Sequence, residues 1–272
     1  GISADIQRGI LYFTTGNPHY YFDGTRRPGK NEMSNSVIAV DLNKKKILWS
    51  FQETAHDIWN FDLPAPPILA TINKNNKLID IVIAPTKRSN TLVLDRITGR
   101  PIFDFRLRKA PTSKLSGEKT FPYQPDLILP EPFGKNIFKF EDIWSYDKEK
   151  LEKLRVNFKN YNYGFYEPYK LGEKTIQYGF NGGAEWMGGS VDPNNDIFYV
   201  TSNNIPWIAE IKRVNSLKET VPKYQSYFER AQDDKGFPIT KPPWGTLSAL
   251  KLSTGKIVWQ VPFGEYKFLT KN

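Results

Sequence analysis

The residues best suited to chemistry stand close together in the segment 55–67, which reads AHDIWNFDLPAPP. An imidazole, two carboxylates and an amide alternate here with aromatic rings, and carboxylates can act as general bases or as ligands of hard cations. The segment follows strand-like sequence ending at Phe51. Polar groups just past a strand, walled by aromatic rings, are typical of a site built on a rigid scaffold. The alternative interpretation is a tight, aspartate-capped turn with Trp59 in the core.

Composition narrows the class of protein. With 272 residues, of which 39% are hydrophobic and 14% aromatic, the chain can form one large domain or two ordinary ones. The absence of cysteine excludes disulfides, thiolate metal sites and a cysteine nucleophile. The net charge of +9 comes largely from scattered lysines, and no nucleic-acid-binding module is recognisable, so a solvated basic surface is favoured. No apolar run approaches about 18 residues, which predicts no membrane span, and no signal peptide is recognisable.

Three segments, 37–49, 91–103 and 247–259, share one pattern. Each has an apolar strand, then Asp or Lys, then a polar turn, and then a second strand ending in an aromatic residue. In the last two segments the turn contains Thr-Gly, and glycine supplies the positive φ that a hairpin turn needs. Asp41 and Asp95 are 95 − 41 = 54 residues apart. This spacing suits one four-stranded blade of a β-propeller.

The rest of the chain predicts a β scaffold with two irregular insertions. The run from about 106 to 180 breaks the rhythm of the repeats, and the run from about 205 to 242 is a second polar insertion. Within the first, Asp147 is a candidate N-cap for a short helix with one apolar face. Almost no helix is expected elsewhere. Further strands are predicted at 9–14, 79–84 and 196–201.

Ordered blocks of this sequence resemble the quinoprotein alcohol dehydrogenases, eight-bladed propellers that hold pyrroloquinoline quinone (PQQ) and a divalent metal near the propeller axis. The three hairpins resemble the family's tryptophan-docking motif, and His56–Trp59 with Asp62–Ala65 resembles its His-Asp-x-Trp active-site turn. The lysine and Glu-Trp blocks are most similar to the membrane-bound glucose and quinate dehydrogenase branch. The remaining blocks follow the family's order: Gly16-Asn17-Pro18, Arg27-Pro28-Gly29-Lys30-Asn31, Ala84-Pro85-Thr86-Lys87, Glu185-Trp186-Met187-Gly188-Gly189 and Pro243-Trp244-Gly245.

The resemblance implies an all-β internal fragment of a longer propeller. The family's domain is considerably longer than this chain, so about four of its eight four-stranded blades are expected here. They form one incomplete domain over 1–272, with the insertions at about 106–180 and 205–242. Half a propeller has two open edges, and it is not expected to be stable or active alone.

The resemblance also assigns roles around the cofactor. Asn17 stands where the family places a metal-ligating side chain, and its amide oxygen and the Asp62 carboxylate suit Ca²⁺, or alternatively Mg²⁺ or another hard cation. Lys87 stands at a cofactor-facing basic position and can place positive charge beside quinone oxygens. Each residue also has an ordinary structural interpretation. Asn17 can be a turn asparagine, and Lys87 can be a surface lysine. Glu185 and Trp186 can be a pair at a strand start with a packed indole. Three further residues are candidate PQQ contacts: Glu185, Trp186 and Trp244.

Asn60 departs from the family pattern. The family turn usually reads His-Asp-x-Trp-Asp, and its second aspartate is the proposed base that takes the alcohol proton. An amide cannot accept a proton at useful pH. Asp62 lies two residues further on, and positions i and i+2 of extended backbone face the same side, so Asp62 can replace the missing base. Asp57 is expected to orient the turn.

Two functions remain open from the sequence. The first is a PQQ-dependent dehydrogenase, periplasmic by resemblance, that oxidises a sugar, polyol or alicyclic alcohol by hydride transfer to PQQ and passes electrons to a quinone or cytochrome. The alternative, favoured by Asn60, is a non-catalytic propeller scaffold for protein–protein assembly in the cell envelope. The enzyme requires Asn17, Asp62, Lys87 and Glu185 to point to one end of the blades.

Overall fold

The computed structural model describes residues 1–216, 218 and 221–267. In this part of the chain nearly all regular structure is antiparallel β-sheet, as predicted. The strands are β1 (Ile2–Asp5), β2 (Ile10–Thr14), β3 (Ser36–Asp41), β4 (Lys46–Gln52), β5 (Ile68–Lys74), β6 (Lys77–Pro85), β7 (Thr91–Asp95), β8 (Phe105–Lys109), β9 (Tyr123–Leu127), β10 (Lys174–Gln177), β11 (Gly189–Asp192), β12 (Ile197–Asn203), β13 (Trp207–Arg213), β14 (Tyr224–Arg230), β15 (Gly245–Lys251) and β16 (Lys256–Pro262).

Three sheets have the arrangement of propeller blades. Two are four-stranded, with the orders β1-β2-β3-β4 and β11-β12-β15-β16, and the third is the three-stranded sheet β5-β6-β7. Their first strands lie side by side at the inner edge, where β5 contacts both β1 and β11. The strands of each blade therefore run outwards in chain order. This order places the loops that follow the second strand of each blade, β2, β6 and β12, on a common face.

The hydrophobic core lies between neighbouring sheets, because the middle strands are apolar on both faces. In β6, Ile81 and Ile83 pack into a cluster shared with the third blade, whereas Val82 and Ala84 pack into a cluster shared with the first blade. All four are fully buried. Alternate residues of a strand face opposite sides of a sheet, so this one strand contributes to two cores.

The repeated aromatic residue explains how consecutive blades fit together. Gly99 has φ +69°, and a Cβ on it would lie 2.5 Å from the Trp49 ring of the preceding blade. Gly255 has φ +72°, and its Cβ would lie 3.1 Å from the Phe103 ring. The aromatic ring at the end of one repeat thus packs on the turn glycine of the next. The sequence pattern of aromatic and glycine is the signature of this contact.

The second predicted hairpin differs from the other two. Its outer segment is not a regular strand: it joins β7 through a bridge between Leu94 and Pro101 and an Ile102 N–H bond to the Val93 carbonyl at 2.8 Å. Proline has no N–H to donate, so the ladder cannot continue through Pro101. The β5–β7 sheet therefore has three regular strands, where the repeat predicted four.

The two segments predicted as insertions join each other. Strand β10 from the first pairs with β13, and β13 pairs with β14, both from the second, in one three-stranded sheet, while β8 and β9 form a separate ribbon. The 3₁₀ helix Phe140–Asp142 and the α-helix α1 (Lys148–Phe158) both lie in the first segment. Asp147 caps α1 as predicted, accepting N–H bonds from Glu149 and Lys150. Among the described residues, no helix combines the length and hydropathy needed to cross a bilayer.

Candidate functional site

Asp57 holds the turn that follows β4. Its carboxylate is fully buried and accepts the N–H groups of Trp59 and Phe61, each at 2.7 Å, and the Asn35 amide at 2.8 Å. Burial raises the pKa of Asp57, and these hydrogen bonds oppose the rise. Asp57 and the buried Trp59 therefore stabilise the conformation of this turn. For these two residues the interpretation as an aspartate-capped turn with Trp59 in the core is correct.

His56 joins the same turn to two distant loops. Its Nδ1 lies 2.7 Å from the Gly29 carbonyl, and its Nε2 lies 2.7 Å from Glu118 Oε1. Both side chains are fully buried, and the other Glu118 oxygen accepts the Gly24 N–H at 2.6 Å. Both ring nitrogens of His56 are hydrogen-bonded by these contacts, so the side chain stabilises the position of the loop that carries Asn17.

Asp62, Lys87 and Asn17 meet at a cavity of about 410 Å³ at the ends of β2, β4 and β6. Asp62 Oδ2 lies 2.7 Å from Lys87 Nζ, and Asp62 Oδ1 accepts the Asn17 N–H at 2.8 Å. Lys87 is only 6% exposed, so its charge is directed at this cluster and away from bulk solvent. Residues from three separate loops thus converge on one carboxylate.

Glu185 belongs to the same electrostatic cluster. Burial raises its pKa, the Asp62 charge adds to the rise, and the Lys87 charge opposes it. Its Oε1 is buried and has no hydrogen-bond partner among the described residues. The adjacent Trp186 lines the cavity and is 74% exposed, so its indole stands at the entrance.

The raised pKa of Glu185 predicts a pH-dependent stability difference. A carboxyl group whose pKa is raised on folding stabilises the folded state below its ordinary value of 4.5, and this contribution disappears as pH rises through the raised value. Glu185→Gln is therefore expected to gain stability relative to wild type as the pH rises above 4.5, until it passes the raised pKa of Glu185. Urea unfolding across that range measures it. Glu152→Gln, at an exposed position of α1, is the control, and a constant difference for Glu185→Gln would contradict the assignment.

Asn60 also lines the cavity, and its backbone explains why an asparagine fits there. Its φ is +64°, in the left-handed region that asparagine and aspartate tolerate better than most residues. The backbone carbonyl of Asn60 accepts a hydrogen bond from Lys87 Nζ at 3.3 Å. Because aspartate has the same tolerance, the turn can accommodate either residue.

Trp244 lies elsewhere. It lines a second cavity beside Trp144, with ring centroids 6.4 Å apart, and its indole N–H donates to the Thr240 carbonyl at 2.6 Å. The other predicted site residues line the first cavity or are coupled to it. The sequence order of the blocks gave no sign of this separation.

The sequence assigned no role to several lining residues of the first cavity, among them Gly16 and Tyr21. A Cβ on Gly16 would lie 2.5 Å from Asp62 Oδ1, so glycine is required for the carboxylate to approach this backbone. Tyr21 lines the cavity and is 53% exposed. The glycine beside Asn17 was a readable signal, whereas the tyrosine stood in an irregular loop with no pattern around it.

The donor set suits an oxygen-rich organic anion. Lys87 supplies a cation, and Asn17 Nδ2 is buried without a partner among the described residues, as is Glu185 Oε1. A hard cation would find the oxygens of Asp62 and Asn17 here. The described residues contain no group of three or more acidic or histidine side chains placed to bind a metal. The site thus fits PQQ and supplies part of a metal's ligand set.

The whole chain, residues 1–272, matches the PQQ family described as "Glucose/ethanol/alcohol dehydrogenase, beta-propeller domain". It is 27% identical to the glycerol dehydrogenase large subunit of Gluconobacter thailandicus, over 97% of the chain and 40% of that protein. It is 28% identical to the quinoprotein glucose dehydrogenase of Escherichia coli, over 89% of the chain and 33% of that protein. It is 27% identical to the quinate/shikimate dehydrogenase (quinone) of Acinetobacter baylyi, over 97% of the chain and 35% of that protein.

Solved structures show the same fold. A europium-containing methanol dehydrogenase matches with a TM-score of 0.62 at 19% identity, over 96% of this chain and 38% of that one. The quinohemoprotein alcohol dehydrogenase of Comamonas testosteroni matches with a TM-score of 0.57, over 97% and 34%. The chain therefore spans two fifths or less of these proteins. It belongs to the PQQ-type glucose/ethanol/alcohol dehydrogenase β-propeller family.

Proposed function

We propose that this chain forms part of a periplasmic PQQ-dependent dehydrogenase that oxidises a sugar, polyol or alicyclic alcohol and passes electrons to a quinone or cytochrome. The observation that carries the proposal is the ion pair between buried Lys87 and half-buried Asp62, in a cavity with Asn17 and Asn60. The names of the relatives, dehydrogenases of glycerol, glucose and quinate or shikimate, support this substrate class. A scaffold without chemistry would not need an ion pair and the unpartnered Asn17 amide nitrogen at a cavity wall.

Each residue has a distinct task in this proposal. Bound PQQ supplies the hydride acceptor, and a hard cation supplies a Lewis acid beside it. Lys87 holds the anionic groups of the cofactor and places positive charge where negative charge develops. Asn17 and Asp62 offer oxygens to the cation, and Trp186 covers the entrance.

Asp62 is the proposed base. Its two oxygens each make one contact, Oδ2 with Lys87 Nζ and Oδ1 with the Asn17 N–H. A carboxylate has about four lone-pair positions, so acceptor capacity remains for a substrate hydroxyl proton. The backbone of Gly16 and Asn17 fixes the orientation of the carboxylate before substrate arrives. Such positioning is the main requirement for a general base.

The test uses the full-length protein, PQQ, and Ca²⁺ or Mg²⁺, with dye-linked alcohol oxidation as the readout. Wild type is expected to bind PQQ and to turn over. Asn60→Asp is expected to retain or increase turnover, because aspartate tolerates the same positive φ and restores a carboxylate at a position that lines the first cavity. If wild-type protein fails to bind PQQ, the dehydrogenase assignment is wrong. Binding without turnover in both wild type and Asn60→Asp would instead favour a non-catalytic propeller.

A further inference from the structure

The second cavity, at the ends of β12 and β15, has a volume of about 840 Å³. Cavities of roughly 300–1,000 Å³ with apolar walls and few polar groups are the usual form of a small-molecule site. Its lining is mostly aromatic and proline side chains, and Glu265, exposed at the rim, is its charged residue. None of the proposed tasks at the first cavity uses this space.

The aromatic wall is continuous and fixed in place. The Trp244 ring packs against Trp144 on one side, with centroids 6.4 Å apart, and against Tyr266 on the other, at 5.0 Å. Phe237, which does not itself line the cavity, contacts two of the lining rings, with centroids 5.4 Å from Tyr266 and 5.9 Å from Tyr146. A wall of flat rings whose positions are set in advance binds a flat apolar ligand with little loss of conformational entropy.

The polar side chains of Ser202 and Asn203, which line the cavity, are already hydrogen-bonded within the protein. Ser202 Oγ and Thr246 Oγ1 are hydrogen-bonded at 2.6 Å. Asn203 Nδ2 donates to the Asn181 carbonyl at 2.9 Å, and Asn203 Oδ1 accepts the Ile205 N–H at 3.0 Å. A sugar buried here would leave most of its hydroxyl groups without partners, which is costly. The lining therefore selects against the polyhydroxy substrates proposed for the first cavity.

Two donors remain for a ligand with a few acceptor atoms. The Trp144 indole N–H and the Tyr146 hydroxyl make no hydrogen bond to the part of the chain that the structure describes. Both side chains line the cavity, and Tyr146 is 39% exposed. A flat apolar ring carrying carbonyl oxygens matches these walls and donors. A quinone is a molecule of that chemical class.

The two cavities are separated by a thin wall of backbone. Asn203, which lines the second cavity, exchanges two backbone hydrogen bonds with Gly183, at 3.0 and 3.1 Å. Gly183 in turn lies so close to Lys87 that a Cβ would be 2.2 Å from the Lys87 carbonyl oxygen. The residue that would face the cofactor and the residue that lines the aromatic cavity are thus linked through one glycine.

We propose that the second cavity binds the ring of the quinone that accepts the electrons of the reaction, an inference that rests on the proposed dehydrogenase function. The overall reaction balances: the alcohol loses two electrons and two protons to become a carbonyl compound, and the quinone gains both to become a quinol. Trp244 then belongs to the acceptor site, and the order of the two cavities along the chain is alcohol site first, acceptor site second.

Equilibrium dialysis of duroquinone with the full-length protein tests this placement without relying on turnover. Saturable binding is expected, and an excess of glucose should leave it unchanged. Trp144→Leu and Tyr146→Leu each remove part of the aromatic wall, and each should weaken binding about tenfold. The control is Tyr227→Leu on β14, which removes a half-exposed tyrosine outside the cavity and should bind as wild type does.

The two proposals fail in different ways. Absence of saturable duroquinone binding, or equal binding by wild type, Trp144→Leu and Tyr146→Leu, would overturn the acceptor site, even in a protein that oxidises alcohols with a dye. Competition by glucose would overturn it as well. Loss of PQQ binding together with cavity-dependent duroquinone binding would overturn the dehydrogenase function and support the cavity as a quinone site.

Discussion

Asp62→Asn is expected to lower turnover by ~10²–10⁴, the usual cost of losing a positioned general base. The amide keeps the size of the carboxylate and can still accept the Asn17 N–H, so the loop geometry at 2.8 Å is retained. It cannot take a proton from the substrate hydroxyl. PQQ binding should persist, because Lys87, freed from its ion pair, remains available to the cofactor. Dye-linked oxidation and PQQ titration of the full-length variant measure the two effects separately.

Asp234→Asn is the matched control for this prediction. Asp234 is also ion-paired with a lysine, Lys150, but it is 72% exposed and lies in a loop outside the first cavity. Its substitution should leave turnover unchanged. Normal turnover by Asp62→Asn would show that Asp62 is not the base. Loss of PQQ binding along with turnover would assign Asp62 to holding the metal or cofactor instead.

Gly183→Ala is expected to be the most destabilising substitution of a single small residue near the site. Its φ of +61° disfavours a side chain by about 1–2 kcal/mol. The new methyl group would also lie 2.2 Å from the Lys87 carbonyl oxygen and 2.6 Å from that of Thr86, and backbone yields less easily than side chains. Overpacking of this kind costs about 1–3 kcal/mol more. Urea unfolding measures the sum, and PQQ titration reports the accompanying shift of Lys87.

Gly172→Ala separates the two contributions. Gly172 has φ +73°, but no heavy atom lies within 4 Å of its hypothetical Cβ. This variant therefore carries the conformational cost of about 1–2 kcal/mol without the collision. Equal losses of stability in Gly172→Ala and Gly183→Ala would mean that the wall between the cavities adjusts without cost, which contradicts the close packing of Gly183 on Lys87.

The features predicted best from sequence were local. The hairpins at 37–49 and 247–259 and the helix capped by Asp147 each depend on residues a few positions apart, and each is present in the structure. The aromatic residue of each repeat and the turn glycine of the last two were also visible in the sequence, because both recur at fixed positions in the pattern. Pro101 was equally visible in the sequence, but the hairpin pattern predicted a regular outer strand there, and the shortened ladder that follows from its missing donor was not predicted.

The features that escaped prediction depend on contacts between distant segments. The sequence supplied Asp62 and Lys87 as candidates, but their salt bridge and the positive φ of Asn60 come from the way three loops meet. The pairing of β10 with β13 brings together two insertions that looked independent in the sequence. Trp244 followed the expected block order, yet folding places it beside Trp144, a residue of an irregular segment with no repeat pattern.

The docking of aromatic rings on turn glycines also sets an order of assembly. Trp49 and Gly99 are 99 − 49 = 50 residues apart, whereas Phe103 and Gly255 are 255 − 103 = 152 residues apart, because both insertions and most of the third blade intervene. Closing the longer loop of flexible chain costs about 1 kcal/mol more entropy. The first two blades should therefore associate before the third joins them. Pulse-labelled hydrogen exchange should protect amides of β3 and β7 ahead of those of β12 and β15, so that the first cavity takes shape before the wall it shares with the second.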